Sequence, residues 1–105
     1  MMVFALLMQS SIKAGKIAAM LGDITAAEAI IREAYTTRGW DWERGDAAIV
    51  GDILTIVAKQ DVTAAGNLWN MVEKLEHVEL YWLMVATRIL ENLGPFGSSR
   101  REANG

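Results

Sequence analysis

The side chains with the chemistry for acid–base catalysis lie close together in the middle of the chain. The carboxylates are Asp41, Glu43, Asp46 and Asp52. Catalysis by a pair of carboxylates needs two of them in one pocket with separated pKa values. Asp46 is placed to cap a helix, and the other three are typical of solubilising surface charge. We therefore predict no catalytic residue among them.

The single histidine, His77, has Glu73 one helical turn before it and Glu79 two residues after it. One histidine with scattered carboxylates makes a poor transition-metal site. The chain has no cysteine, which excludes disulfides, thiolate zinc sites and cysteine nucleophiles. We expect no metal and no cofactor, and we place His77 in a connection between helices.

Composition indicates one small domain with more apolar surface than a single copy buries. The chain has 105 residues, of which 52% are hydrophobic. Small domains have the most surface per residue, so the excess favours a protein partner or self-association. The net charge is −3, and among the ten basic residues only Arg100 and Arg101 are adjacent. This balance argues against nucleic-acid binding.

The apolar start of the chain, MMVFALLM, has no basic residue before it, while Lys13 and Lys16 follow it. That order is the reverse of a signal peptide. No apolar run approaches the roughly 20 residues that a membrane-spanning helix needs. We therefore expect a buried first helix and a cytoplasmic protein without membrane contact.

Helical signals cover nearly the whole chain, which contains one proline and no strand-like alternation. The apolar periodicity predicts an all-α domain of five helices. We place them at about Val3 to Leu21, Thr25 to Thr37, Asp46 to the KQD at 59–61, Thr63 to Leu75 and Val78 to Leu93. Gly94 and Pro95 are typical of a helix end. The predicted domain therefore covers 1–95, and 96–105 is expected to be a flexible polar tail.

One short pattern occurs twice: DITAA at 23–27 and DVTAA at 61–65 are separated by 38 residues. Each stands where one helix ends and the next begins. Thr25 and Thr63 are predicted N-caps, and Glu28 completes a capping box with Thr25. Ala27 and Ala65 are small enough to let two helices cross closely. The pattern predicts two helical hairpins.

The stretch GKIAAMLGDITAAEAIIREA resembles the tetratricopeptide family of helical hairpin repeats. The matching residues are Gly15, Gly22, Asp23, Ala27, Ile31 and Ala34, and in the second unit Ala65, Trp69 and Val72. The second unit has Ile53 and Gln60 in place of the two glycines. The period is 38 rather than the family's 34, and the family's proline at the end of the second helix is missing.

The resemblance covers roughly Ser10 to Leu75 and implies a right-handed stack of two hairpins. The fifth helix would then cap the last unit. The related pentatricopeptide pattern fits about as well, and it implies binding of single-stranded RNA. The acidic composition argues against carrying that activity over.

Two segments are candidates for binding. The first is the loop between the two units, which carries Arg38, Trp40, Trp42 and Arg44. Paired indoles flanked by arginines are typical of an interaction hot spot. Alternatively, the two rings fill the gap between the hairpins. The sequence leaves both interpretations open.

The second candidate is the last helix, which is apolar on nearly every side. Its interface candidates are Tyr81, Trp82, Met84 and Val85. An all-round apolar helix is either buried or pairs with another chain. Two copies packed across a two-fold axis would cover both faces, and so would the first helix of the same chain.

The residues together predict a small helical-repeat module for protein–protein interaction or scaffolding. We expect it to self-associate through its last helix and to have no catalytic activity. The alternatives are an RNA-binding repeat and a small helical ligand-binding or enzymatic domain. The last would have a closed apolar pocket lined by tryptophan and methionine.

Overall fold

The structure, a computed structural model, describes residues 11–36 and 44–104, with side chains for 12–36 and 45–93. Within these ranges the chain forms five helices and no strand, which confirms the predicted all-α fold. The helices are α1 (Ser11–Met20), α2 (Ile24–Thr36), α3 (Arg44–Gln60), α4 (Val62–Leu75) and α5 (Glu79–Asn104).

The helices lie in two layers around a central helix. Tight connections fold α1 onto α2 and α3 onto α4, so the chain forms two consecutive hairpins. In the first layer α3 lies between α1 and α5, and in the second layer α2 packs beside α4. α3 contacts all four other helices. The core is therefore centred on this element, which contributes more buried apolar residues than any other helix described.

The turn between α1 and α2 is set by one glycine. Gly22 has φ +86°, a backbone conformation that side chains with a Cβ rarely adopt. Its N–H donates to the carbonyl of Ala19 at 3.0 Å, and the N–H of Asp23 donates to the carbonyl of Ala18 at 2.9 Å. This pair of bonds satisfies the last free carbonyls of α1. The predicted end of the first helix at Gly22 is confirmed.

The two repeated turns are built alike, but a different residue caps each helix from the one predicted. Asp23 accepts a hydrogen bond from the N–H of Ala26 at 3.1 Å. Asp61 accepts the equivalent bond from Ala64, also at 3.1 Å. The aspartate of each D-[aliphatic]-T-A-A pattern is therefore the N-cap.

The predicted caps Thr25 and Thr63 are wrong by two residues. Both threonines are exposed and lie within the first turn of their helices. Glu28 closes no capping box, because its carboxylate pairs with Arg32 one turn later at 3.0 Å. In each pattern the aspartate precedes the threonine by two residues, and the helix begins directly after the aspartate.

Small residues mark the places where the helices come closest. Ala27 is fully buried, as predicted, whereas Ala65 is only partly buried. A Cβ added at Gly15 would lie 3.2 Å from Ile30 and from Ile53. α1 is therefore packed closely on both α2 and α3 at this glycine.

α3 and α5 come close together at Gly51, a glycine that the repeat alignment does not include. A Cβ at this position would lie 2.6 Å from the Cβ of Arg88 and 3.0 Å from the carbonyl of Val85. No alanine would fit without displacing α5. The alignment at 38 residues paired Gly15 with Ile53 and so passed over the glycine two residues earlier.

The last helix is longer than predicted. The prediction that it ends at Gly94 and Pro95 is wrong, because α5 continues to Asn104. A proline inside a helix removes one hydrogen bond, the one to the carbonyl four residues before it. That carbonyl belongs to Glu91, which is an exposed residue, so water can take the place of the missing donor.

Candidate interaction surfaces

The first predicted binding segment cannot be placed. Arg38, Trp40 and Trp42 lie outside the described residues, and Arg44 is described only as the first backbone position of α3. Both interpretations of the tryptophan loop, hot spot and filler, therefore stay predictions.

The second predicted segment faces inward more than the sequence implied. Val85 is fully buried in the core, and Tyr81 and Met84 are half-buried against it. Trp82 is also half-buried, with its ring centroid 5.4 Å from that of Trp69 on α4. These four side chains support the fold of one copy, and Val85 offers no free surface.

The exposed apolar residues of α5 are leucines that lie outside the predicted interface set. They are Leu80, Leu83, Leu90 and Leu93. Their spacings of three, seven and three residues are those of one helical stripe. That spacing was readable from the sequence, but the stronger signal of the aromatic residues obscured it.

An open apolar groove of about 490 Å³ runs between α4 and α5, with α3 as its floor. Both helices pack on α3 while making little contact with each other beyond the pair of tryptophan rings. The groove is lined by Leu54, Thr55, Ala58, Val62, Ala65, Gly66, Trp69, Ala86, Ile89, Leu90 and Leu93.

The lining of this groove suits another helix. Ala58, Gly66 and Ala86 are small, so a docked backbone can come close. At the rim, Val62 is 76% exposed and Leu90 is 69% exposed. Apolar side chains grouped at the edge of an apolar groove mark a surface for association.

A second surface centres on Asp52, which was predicted to be solubilising surface charge. That interpretation is wrong, because the side chain of Asp52 is only 10% exposed. Arg88 donates to it from Nε at 2.7 Å, Asn92 from Nδ2 at 2.9 Å and Lys16 from Nζ at 3.3 Å. One carboxylate thus joins α1, α3 and α5.

The spacing of these residues is regular. Lys16, Asp52 and Arg88 follow one another at intervals of 36 residues. They occupy corresponding positions on the three helices of the first layer. The repeated turns are 38 residues apart, so the turn repeat does not bring these three residues into register.

The partners of Asp52 outweigh the effect of its burial. Burial alone would raise the pKa of this carboxyl, but the hydrogen bonds from Arg88, Asn92 and Lys16 and the charge of Lys16 lower it below its ordinary value. The hydrogen bond and the charge of Asp52 in turn raise the pKa of Arg88. Asp52 and Arg88 are therefore both ionised at neutral pH.

A polar pocket of about 310 Å³ opens beside this cluster. It is lined by Lys16, Asp52, Thr55, Ile56, Lys59, Arg88 and Asn92. Thr55 accepts a hydrogen bond from Asn92 at 3.1 Å and donates to the carbonyl of Gly51 at 2.9 Å. The wall on the α5 side is thereby held in place.

A third polar feature lies between the two hairpins. Burial raises the pKa of Tyr35, and the charge of Glu76 raises that pKa further. Glu76 ends α4 and also accepts a hydrogen bond from the N–H of Val78 at 3.0 Å. His77 is exposed in this connection, as predicted.

Within the part of the chain that the structure describes, no three histidine or acidic side chains are grouped as metal ligands. The helices described are all too short or too polar to cross a membrane. No family model, no curated protein and no solved structure matches the chain. The resemblance to tetratricopeptide repeats and the handedness of the stack therefore stay predictions.

Proposed function

We propose that the chain is a non-catalytic interaction module whose apolar groove binds a helix. The occupant that we propose is a helix of a second copy of this chain. The observation that carries this proposal is the groove between α4 and α5 with its exposed rim. Its lining is almost wholly apolar, so water is a poor occupant and an apolar helix face a good one.

The order of the helices supports a helix as the occupant. α1 is covered by α2, and α3 is covered by α4. α5 has no such following helix among the described residues, and the groove lies where that helix would pack. A helix from another chain would thus repeat the arrangement already present twice.

A second copy fits because the apolar stripe of α5 lies beside the groove. Leu90 and Leu93 line the groove, while Leu80 and Leu83 extend the same exposed face. Two-fold pairing brings such a face against itself, so each copy covers the leucines of the other. The ligand-binding alternative is less well supported, because its pocket was expected to be closed and lined by tryptophan and methionine. This groove is open and is lined by Trp69 but by no methionine.

The test is a pair of surface substitutions in the intact chain. Leu90→Glu places a charge at the rim of the groove, and Leu21→Glu places one on an equally exposed leucine at the end of α1. Light scattering on purified protein should show a dimer for the wild type and Leu21→Glu, and a monomer for Leu90→Glu. Circular dichroism should show all three folded.

An equal loss of assembly in both variants would contradict the assignment to the groove. So would a Leu90→Glu protein that still dimerises. A pull-down from cells, with and without nuclease treatment, tests the RNA alternative. A monomeric wild type that is recovered with RNA but with no protein partner would favour that alternative.

A further inference from the structure

The polar pocket beside Asp52 is distinct from the groove. It is lined from α1, α3 and α5, and Thr55 is the one residue that lines both. Three cationic side chains and one carboxylate line the polar pocket, which gives it a net charge of +2. The chain as a whole has a charge of −3. A local excess of positive charge therefore stands out from an acidic surface.

The cationic groups keep donors that Asp52 does not use. Lys16 gives Asp52 one contact at 3.3 Å, and Arg88 contacts it through Nε and Nη2. The remaining terminal nitrogen of Arg88 lies 3.7 Å from Glu91, outside the pocket lining. Lys59 makes no hydrogen bond or ion pair with any described residue and is exposed.

Asp52 has a positioning role in this arrangement. Its carboxylate holds the heads of Lys16 and Arg88 on one side of the pocket, and Asn92 fixes the carboxylate. A ligand anion then meets donors that are already oriented, so less conformational entropy is lost on binding. The partial negative charge at the end of α3, about half a unit, does not cancel the excess.

We propose that this pocket binds a carboxylate group, carried by an acidic peptide side chain or by a small dicarboxylate. A carboxylate can pair with the ammonium of Lys59 and accept from the N–H groups of Lys16 and Arg88 that Asp52 leaves unused. Phosphate meets the same net positive charge, so it serves as the competing anion in the test. Ile56 supplies an apolar wall for the short aliphatic part of the ligand.

The experiment is a titration of the ¹⁵N-labelled full chain at low ionic strength, followed by NMR. The probes are glutarate, a blocked peptide of six glutamates and, for comparison, inorganic phosphate. We expect saturable shifts in the backbone amides of 51–59 and in the side-chain amide of Asn92. Tighter binding of the peptide would identify a protein segment as the source of the carboxylate, and equal binding would identify the small acid. Either result supports the site.

The matched variants are Lys59→Ala and Lys74→Ala, each of which removes an exposed lysine from the last turn of a helix. Lys59→Ala should weaken binding by about threefold, the effect of an exposed ion pair. Lys74→Ala should bind like the wild type. The absence of saturable shifts, an equal effect of both variants or tighter binding of phosphate would each overturn the proposal.

Discussion

Asp52 shows how much one buried carboxylate does in a small helical chain. It receives hydrogen bonds from both neighbouring helices of the first layer, and it lies one residue after Gly51, where α3 and α5 come close together. Removing it leaves Lys16 and Arg88 side by side without the acceptor that they share. Its contribution is therefore to the assembly of three helices rather than to solubility.

Asp52→Asn should lower the free energy of unfolding by about 1 to 2 kcal/mol at neutral pH, the range for charged hydrogen bonds with partly exposed partners. Because the pKa of Asp52 lies below its ordinary value of 3.8, the ion pairs stabilise the fold fully above that pH. They lose their effect as the pH falls through the folded-state pKa. Urea titrations should show the free energies of unfolding of the wild type and Asp52→Asn converging in acid. A difference that stays constant with pH would contradict this prediction.

Tyr35 should control stability at the opposite end of the pH scale. Burial and Glu76 raise the pKa of this phenol above its ordinary value of 10.0. The unfolded chain therefore loses the proton first, and wild-type stability should fall above pH 10. Tyr35→Phe removes this titrating group, so its stability should decline less in alkali than that of the wild type. If urea titrations show that both proteins lose the same free energy of unfolding above pH 10, the role assigned to Tyr35 is wrong.

At the scale of the elements, the repeated turns were predicted well and their caps were not. The pattern of aspartate, aliphatic, threonine and two alanines located both helix starts to within two residues. Local patterns can do this, because capping bonds join residues three apart in sequence. Choosing between the aspartate and the threonine depends on where the preceding helix ends, which at Gly22 is set by a positive φ.

Alanine substitutions separate the observed caps from the predicted ones. Asp23→Ala and Asp61→Ala should each lower the free energy of unfolding by about 1 kcal/mol, because each leaves a helix N–H without its acceptor. Thr25→Ala and Thr63→Ala should change it by less than about 0.5 kcal/mol. Thermal melts of the four variants measure the difference. A larger cost for the threonines would restore the original capping assignment.

The glycines of α3 and α4 give a second matched pair. Gly51→Ala should lower the free energy of unfolding by about 1 to 3 kcal/mol, because its Cβ would overlap Arg88. In this chain an added Cβ at Gly66 meets nothing within 4 Å, so Gly66→Ala should raise the stability of a single copy in dilute solution by about 0.5 to 1 kcal/mol. Denaturant midpoints test both signs. Equal effects would mean that α5 does not pack on α3 at Gly51.

For the whole molecule, the class of fold followed from the sequence and the surfaces did not. Helical periodicity and the turn at Gly22 are properties of neighbouring residues, and they sufficed for an all-α hairpin architecture. The contact of Gly51 with Arg88 joins residues 37 apart, and the groove needs three helices to be placed first. No local pattern carries such information. The sequence held two weaker signals, the equal spacing of Lys16, Asp52 and Arg88 and the leucine spacing of α5.

The central claim is that the apolar face of α5 and its groove bind a second copy. Light scattering behind a sizing column, on the wild-type chain at high micromolar concentration, tests it most directly. We predict a mass close to that of two chains, each of 11.6 kDa. The mass should fall toward that of one chain on dilution or in the Leu90→Glu variant. A mass of one chain at every concentration would contradict the account.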